Sequence, residues 1–245
     1  MKLTATGKSD IGLKREINQD AFCIYQKGDI GLFAVADGMG GYTNGEKASQ
    51  KVVEELGNWW DLLSPGLYDF DFRKMLTAIE QVIEYANKYI YMEYNQNEVC
   101  GTTVTVLFIY KDLYAVVHVG DSRCYLKQGR KWEQVTIDEV WENQSNLGSK
   151  ERMMKEHPNR GKLVNAVGIK ENVYCRVITN EIKPDTIFLI CSDGLYKFCT
   201  DRFMKKCLKK VREQQSATQA IDELIRKVYS NGARDNVSVV VVKCL

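Results

Sequence analysis

The run Gly31-Leu32-Phe33-Ala34-Val35-Ala36 closes directly on Asp37-Gly38. A short apolar run of this kind reads as a buried strand. A carboxylate at the edge of a core costs free energy unless something positive meets it. Asp-Gly is also a common hairpin dipeptide, so a turn accounts for this one position. The pattern recurs, however. The run at 186–192 leads into Asp193-Gly194, and the run at 113–119 into Gly120-Asp121-Ser122-Arg123. The valine-rich run at 237–243 is preceded by Arg234-Asp235-Asn236, and Asn18-Gln19-Asp20 opens the run at 20–26. Asp20, Asp37, Asp121, Asp193 and Asp235 therefore all stand at strand edges beside Gly, Asn or Ser. A turn explains any one of them; the set asks for a common cause.

The other elements limit the fold. Strands are expected at about 2–8, 20–26 and 30–36. Ala48, Val52, Leu56, Trp59, Trp60 and Leu63 recur at three- and four-residue steps and predict a helix over 44–63, broken by Pro65-Gly66. Leu76, Ile79, Ile83, Ala86 and Ile90 predict a second over 71–95. β-Branched and aromatic residues return at 102–110, 113–119 and 123–127, and Gln128-Gly129 turns the chain into 131–135. Strands at 173–182 and 186–192, helices at 201–213 and 216–230, and a last strand at 237–243 complete the order. Strands, two helices, strands, two helices, strand: this suggests two packed sheets with helices outside. Residues 136–172 are polar and weakly periodic, and are expected to form an excursion from the core, either helical or a flap. No repeat, low-complexity tract or Pro- or Ser-rich linker divides the 245 residues, so one domain is expected.

With 34 basic and 32 acidic residues, the chain shows no sign of a nucleic-acid or membrane surface. The opening MKLTATGKSD lacks an apolar signal-peptide core, and no apolar stretch is long enough to span a bilayer. The 8 cysteines are therefore expected as reduced thiols in a cytoplasmic protein. No two have C-x-x-C spacing, and the histidines are limited to His118 and His157, which argues against a Cys/His zinc site. Carboxylates brought together repel unless cations sit between them. All-oxygen ligation without His or Cys selects a hard cation, Mg²⁺ or Mn²⁺. Spacing alone does not bring the five strand ends together in space.

Ser9-Asp10-x-Gly12-x-x-Arg15-x-x-Asn18-Gln19-Asp20, Val35-Ala36-Asp37-Gly38-Met39-Gly40-Gly41, Gly101-Thr102-Thr103, Val119-Gly120-Asp121-Ser122-Arg123, Ser192-Asp193-Gly194-Leu195 and Arg234-Asp235-Asn236 occur in this order. Each is short, but the ordered set covers almost the whole chain. It resembles the metal-dependent protein Ser/Thr phosphatases of type 2C, in their compact bacterial form. The resemblance implies an α+β fold, a four-layer α-β-β-α sandwich of two face-to-face antiparallel sheets flanked by helix pairs, with a flap at about 136–172. It implies two Mn²⁺ or Mg²⁺ ions, with Asp37 bridging them and the Gly38 carbonyl on one. Asp193 and Asp235 match ligands of the other, and Asp20 a residue acting through metal-bound water. Arg15 matches the arginine that holds the substrate phosphate. Asp121, with Asp193, matches the pair that holds a third, weaker ion. The implied reaction is hydrolysis of phosphoserine and phosphothreonine in proteins by a hydroxide held between the ions, with no phosphoenzyme. The implied opponent is a Ser/Thr protein kinase, itself a candidate substrate among the phosphorylated proteins.

This sequence departs from the family pattern in places. Met39 stands where animal relatives carry a histidine proposed as general acid, which leaves protonation of the leaving group to water. Asp138-Glu139-Val140 replaces the usual Asp-His-Ser near the start of the flap, whereas His157-Pro158-Asn159-Arg160 matches. The flap is expected to affect substrate choice. The segment Gly40 to Lys47 is glycine-rich after a strand, but Gly45 is followed by Glu46 and Lys47 by Ala48, so a Walker phosphate loop is rejected. The rival of another class is a catalytically inactive phosphatase-like module that binds a phosphoprotein or partner. Such modules lose metal aspartates, and Asp37, Asp193 and Asp235 all persist. Nothing indicates oligomerisation, and a monomer is the default.

Overall fold

In a computed structural model of the chain, residues 1–40, 44–63, 66, 71–95, 99–144, 157–211 and 214–245 are described. The strands are β1 (Leu3–Asp10), β2 (Asp20–Lys27), β3 (Ile30–Met39), β4 (Gly101–Thr102), β5 (Val104–Tyr110), β6 (Leu113–Val119), β7 (Arg123–Gln128), β8 (Lys131–Gln134), β9 (Arg176–Glu181), β10 (Ile187–Cys191) and β11 (Val237–Cys244). The helices are α1 (Asn44–Leu63), α2 (Phe72–Glu93), α3 (Asp193–Tyr196), α4 (Asp201–Leu208) and α5 (Gln214–Ser230). One antiparallel sheet runs β1-β11-β10-β7-β8. The other runs β2-β3-β5-β6-β9, with β4 paired to the far end of β3.

Side chains alternate across a strand, so each unbroken apolar run feeds two cores. Phe33 and Val35 of β3 point between the sheets, with Leu107 and Ile109 of β5, Phe188 and Ile190 of β10, and Val240 and Val242 of β11. Their neighbours Leu32, Ala34, Val106 and Phe108 lie instead under α1 and α2, against Val52, Leu56, Ile79 and Ile83. On the far side, Leu189, Val239 and Val241 meet Met204, Leu208, Ile221 and Leu224 from α4 and α5. Three cores separate four layers, which is the expected α-β-β-α sandwich.

The boundaries shift where other contacts intervene. The run at 102–110 splits into β4 and β5 because Thr103 turns its N–H to the Asp37 carbonyl at 2.9 Å. The run at 173–182 keeps only Arg176–Glu181 as strand. Helix α4 ends at Leu208, short of 213, of which 212–213 lie outside the described residues. The single-turn helix α3 was not expected. Within 136–172, a short 3-10 turn spans Trp141–Asn143, and isolated bridges tie Val140 to Leu163 and Thr102 to Val167. Residues 145–156 of the expected flap, together with Gly41 and Pro65, lie outside the described residues. Among the described residues no helix is long and apolar enough to cross a membrane. All 8 cysteines are buried and free.

Candidate active site

Strand register gathers the acidic ends. In the β2–β3 pair Asp20 stands directly opposite Asp37. One residue further, Gly38 pairs with Thr102. Val104 pairs with Val119, so β6 finishes where β5 begins. The chain then crosses through Gly120-Asp121-Ser122 into the other sheet, where Arg123 pairs with Cys191 and Cys191 with Val239. The end of β10 and the start of β11 therefore lie at the same end of the sandwich. A cleft of about 280 Å³ opens there, lined among others by Arg15, Asp37, Asp121, Asp193, Lys197 and Asp235. Asp20 lies buried behind its wall. The structure thus brings all of the residues singled out from the sequence to one place.

The glycine that follows each of two aspartates is needed for close chain crossing. A Cβ on Gly38 would lie 2.1 Å from the carbonyl oxygen of Gly45 at the start of α1. A Cβ on Gly194 would lie 1.8 Å from the carbonyl oxygen of Asn236. Asn236 itself is a clamp. Its Oδ1 accepts from the Gln19 N–H at 2.9 Å, and its Nδ2 donates to the carbonyls of Ile11 and Ile17 at 3.0 and 3.1 Å. That clamp binds the segment carrying Arg15 and Asp20 to the one carrying Asp235. Below Asp37, its backbone N–H donates to Thr103 Oγ1 at 3.0 Å, and Thr103 Oγ1 meets Ser122 Oγ at 2.7 Å.

The electrostatics show what the cleft lacks. Burial pushes the Asp37 carboxyl well above the usual range, and Asp20, Asp193, Asp121 and Asp235 push it further. Asp20 rises to about 7, chiefly by burial; the Ser192 hydroxyl, donating to its Oδ2 at 2.7 Å, works against the rise. Asp121 rises to about 6 through burial and then Asp193. Two cations of the chain answer this charge at the rim. The half-exposed Arg15 forks onto Asp235, Nε to Oδ1 at 2.8 Å and a terminal nitrogen to Oδ2 at 3.0 Å. Lys197 pairs with Asp193.

Donor chemistry fits hard divalent ions. Among the described residues neither carboxylate oxygen of Asp37 receives a hydrogen bond, although the half-buried group stands in the field of four other carboxylates. No three His, Cys, Asp or Glu side chains among the described residues close on a single point. Each ion would draw on one or two carboxylates, backbone oxygen and water, which suits Mg²⁺ or Mn²⁺. Asp37, Gly38, Asp193 and Asp235 line the cleft with oxygens that could coordinate such ions.

The comparison with known proteins decides the family. The profile described as Protein phosphatase 2C matches residues 7–238. The chain belongs to this family. The serine/threonine phosphatase stp of Listeria monocytogenes serotype 4b is 29% identical over 244 residues, covering 96% of this chain and 94% of that one. The serine/threonine protein phosphatase PstP of Mycobacterium tuberculosis is 30% identical over 98% of this chain and 44% of its own length. A crystal structure of the PstP catalytic domain in complex with two manganese ions superposes with a TM-score of 0.80 at 28% identity, over 98% of this chain and 97% of that one.

Sequence reading missed three contributors to the site. Lys197 escaped because its partner Asp193 is one turn away on a helix too short to show periodicity. Tyr196, whose hydroxyl donates to Asp121 Oδ2 at 3.2 Å, was hidden for the same reason. Glu139 reads as a flap residue, yet its Oε2 accepts from the Gly120 N–H at 3.0 Å and so braces the turn that carries Asp121.

Proposed function

We propose that the whole chain, 1–245, acts as one catalytic domain that hydrolyses phosphoserine and phosphothreonine in proteins with two Mn²⁺ or Mg²⁺ ions. It is a protein-serine/threonine phosphatase of the 2C type; the proposal concerns how its own residues do the work. The observation that carries it is the convergence of Asp37, Asp193, Asp235 and Asp121 from four strand ends, with Arg15, on one cleft. When bound, the ions supply a water of lowered pKa as nucleophile and neutralise charge on the transferring phosphoryl group.

In this reading Asp37, with the Gly38 carbonyl, and Asp193, with Asp235, would hold the two ions. Asp20 sits opposite Asp37, oriented by Ser192, and acts through water. Arg15, which forks onto the Asp235 carboxylate, would take two phosphate oxygens by the same planar geometry. Met39 offers no proton, so the leaving Ser or Thr oxygen takes one from water. Asp121 and Asp193 are the pair matched to a third, weaker ion; Tyr196 and Lys197 each engage one oxygen of that pair.

Phosphorylated proteins are the substrates in this account, an opposing Ser/Thr kinase among them. The free thiols fit a reducing compartment, and we place the protein in the cytoplasm as a monomer. The flap at about 136–172 borders the cleft through Gly161 and Leu163 and is our candidate for substrate choice. The test is phosphate release from matched phosphoserine, phosphothreonine and phosphotyrosine peptides in Mn²⁺. Release from the first two supports the reading. A folded protein that binds those peptides without turning them over supports an inactive module instead.

A further inference from the structure

Lys197 caps the C-terminal end of α3, its backbone N–H donating to the Asp193 carbonyl at 3.0 Å. Residues four apart on a helical turn share one face, so the ammonium folds back onto the Asp193 carboxylate. Asp121 and Asp37 add to the field that Asp193 imposes on it. The second oxygen-bearing wall of this corner is also engaged, since the Tyr196 hydroxyl donates to Asp121. Tyr196 in turn lies under the Arg123 guanidinium, 3.6 Å from its ring centre, and Arg123 is gripped by Asp138 at 2.6 and 2.9 Å. The outer carboxylates, Asp121 and Asp193, thus face a fixed hydroxyl and a cation of the chain itself.

We infer that Lys197 takes the place of a third divalent ion in this cleft, limiting the enzyme to two. This rests on the two-ion reading above. Like charges at such range repel strongly in a partly desolvated site, so a divalent ion beside Asp121 and Asp193 must displace the ammonium or bear its field. Lys197 is a positioning residue: it holds the charge of Asp193 and touches neither substrate nor nucleophile.

The test counts ions. Wild type, Lys197→Met, Lys197→Arg and the double variant Lys197→Met/Asp121→Asn are dialysed against Mn²⁺, and bound metal is measured by elemental analysis and by titration of the free-Mn²⁺ electron paramagnetic resonance signal. The expected result is two ions in wild type and in Lys197→Arg, where the charge remains. Lys197→Met gains a weaker third ion, its affinity raised on the order of tenfold or more over wild type, and the added Asp121→Asn change removes it. Three ions in wild type, or two in a folded Lys197→Met, overturns the inference while leaving the two-ion reading standing. No bound ion in wild type overturns both. A Lys197→Met protein with an unchanged count but a raised KM makes Lys197 a phosphate contact instead and overturns the inference.

Discussion

The buried Asp20 carboxyl makes the metal-free protein sensitive to pH in a direction that can be worked out. Its folded-state pKa lies at about 7 against an ordinary 3.8, because burial penalises the charge more than the Ser192 and Ser238 hydroxyls reward it. Between those values the folded chain holds a proton that the unfolded chain has lost. Stability from this group is therefore full below the ordinary value and falls as pH rises through the folded one. From about pH 5 to about pH 8 the loss amounts to about 2.5 kcal/mol. His118 acts in the opposite sense, its pKa lowered to about 4 by burial, while Asp37 and Asp121, both raised, act in the same sense as Asp20, so the raw pH profile mixes several groups. Asp20→Asn cancels His118 by difference. Urea denaturation of both proteins in EDTA should show wild type losing about 2.5 kcal/mol relative to the variant over that interval. Saturating Mn²⁺ should erase the loss, since cations then meet the carboxylates. A difference that stays flat or reverses with pH would refute the claim that this end of the sandwich lacks a cation.

Other perturbations probe the frame. Gly194→Ala forces a Cβ against the Asn236 carbonyl oxygen; a stability loss of about 3 kcal/mol with lost turnover is expected by thermal melting and assay. Asp138→Ala strips the Arg123 guanidinium of contacts at 2.6, 2.9 and 3.2 Å and should cost roughly 2–3 kcal/mol in urea. Phe188→Ala opens the core between the sheets, where Phe188 is fully buried, and should cost about 3–5 kcal/mol with little change in metal affinity.

The sequence spoke most clearly where burial is uniform. Helix α1 and strand β6 run where their patterns place them, because a helix lying on a sheet and a strand buried on both faces leave long, unbroken signals. The acidic strand ends were legible for a related reason, as carboxylates interrupting apolar runs stand out. What was not legible is the meeting of those ends, which depends on register: Asp20 opposite Asp37, and Arg123 opposite Cys191, are facts of pairing rather than of local pattern. Tertiary contacts also set boundaries that propensity could not. Thr103 breaks the run at 102–110 to hold Asp37, and Asp138 and Glu139, read as the start of a flap, anchor Arg123 and Gly120 instead.

The central claim is that aspartates from both sheets hold ions that hydrolyse a phosphate ester. The most direct measurement is hydrolysis of p-nitrophenyl phosphate by the purified protein, with Mn²⁺ titrated against EDTA and Asp37→Asn and Asp193→Ala alongside. The account predicts turnover that rises with Mn²⁺, vanishes with EDTA and falls at least about a hundredfold in each variant. Turnover indifferent to EDTA, or retained in both variants, would contradict it.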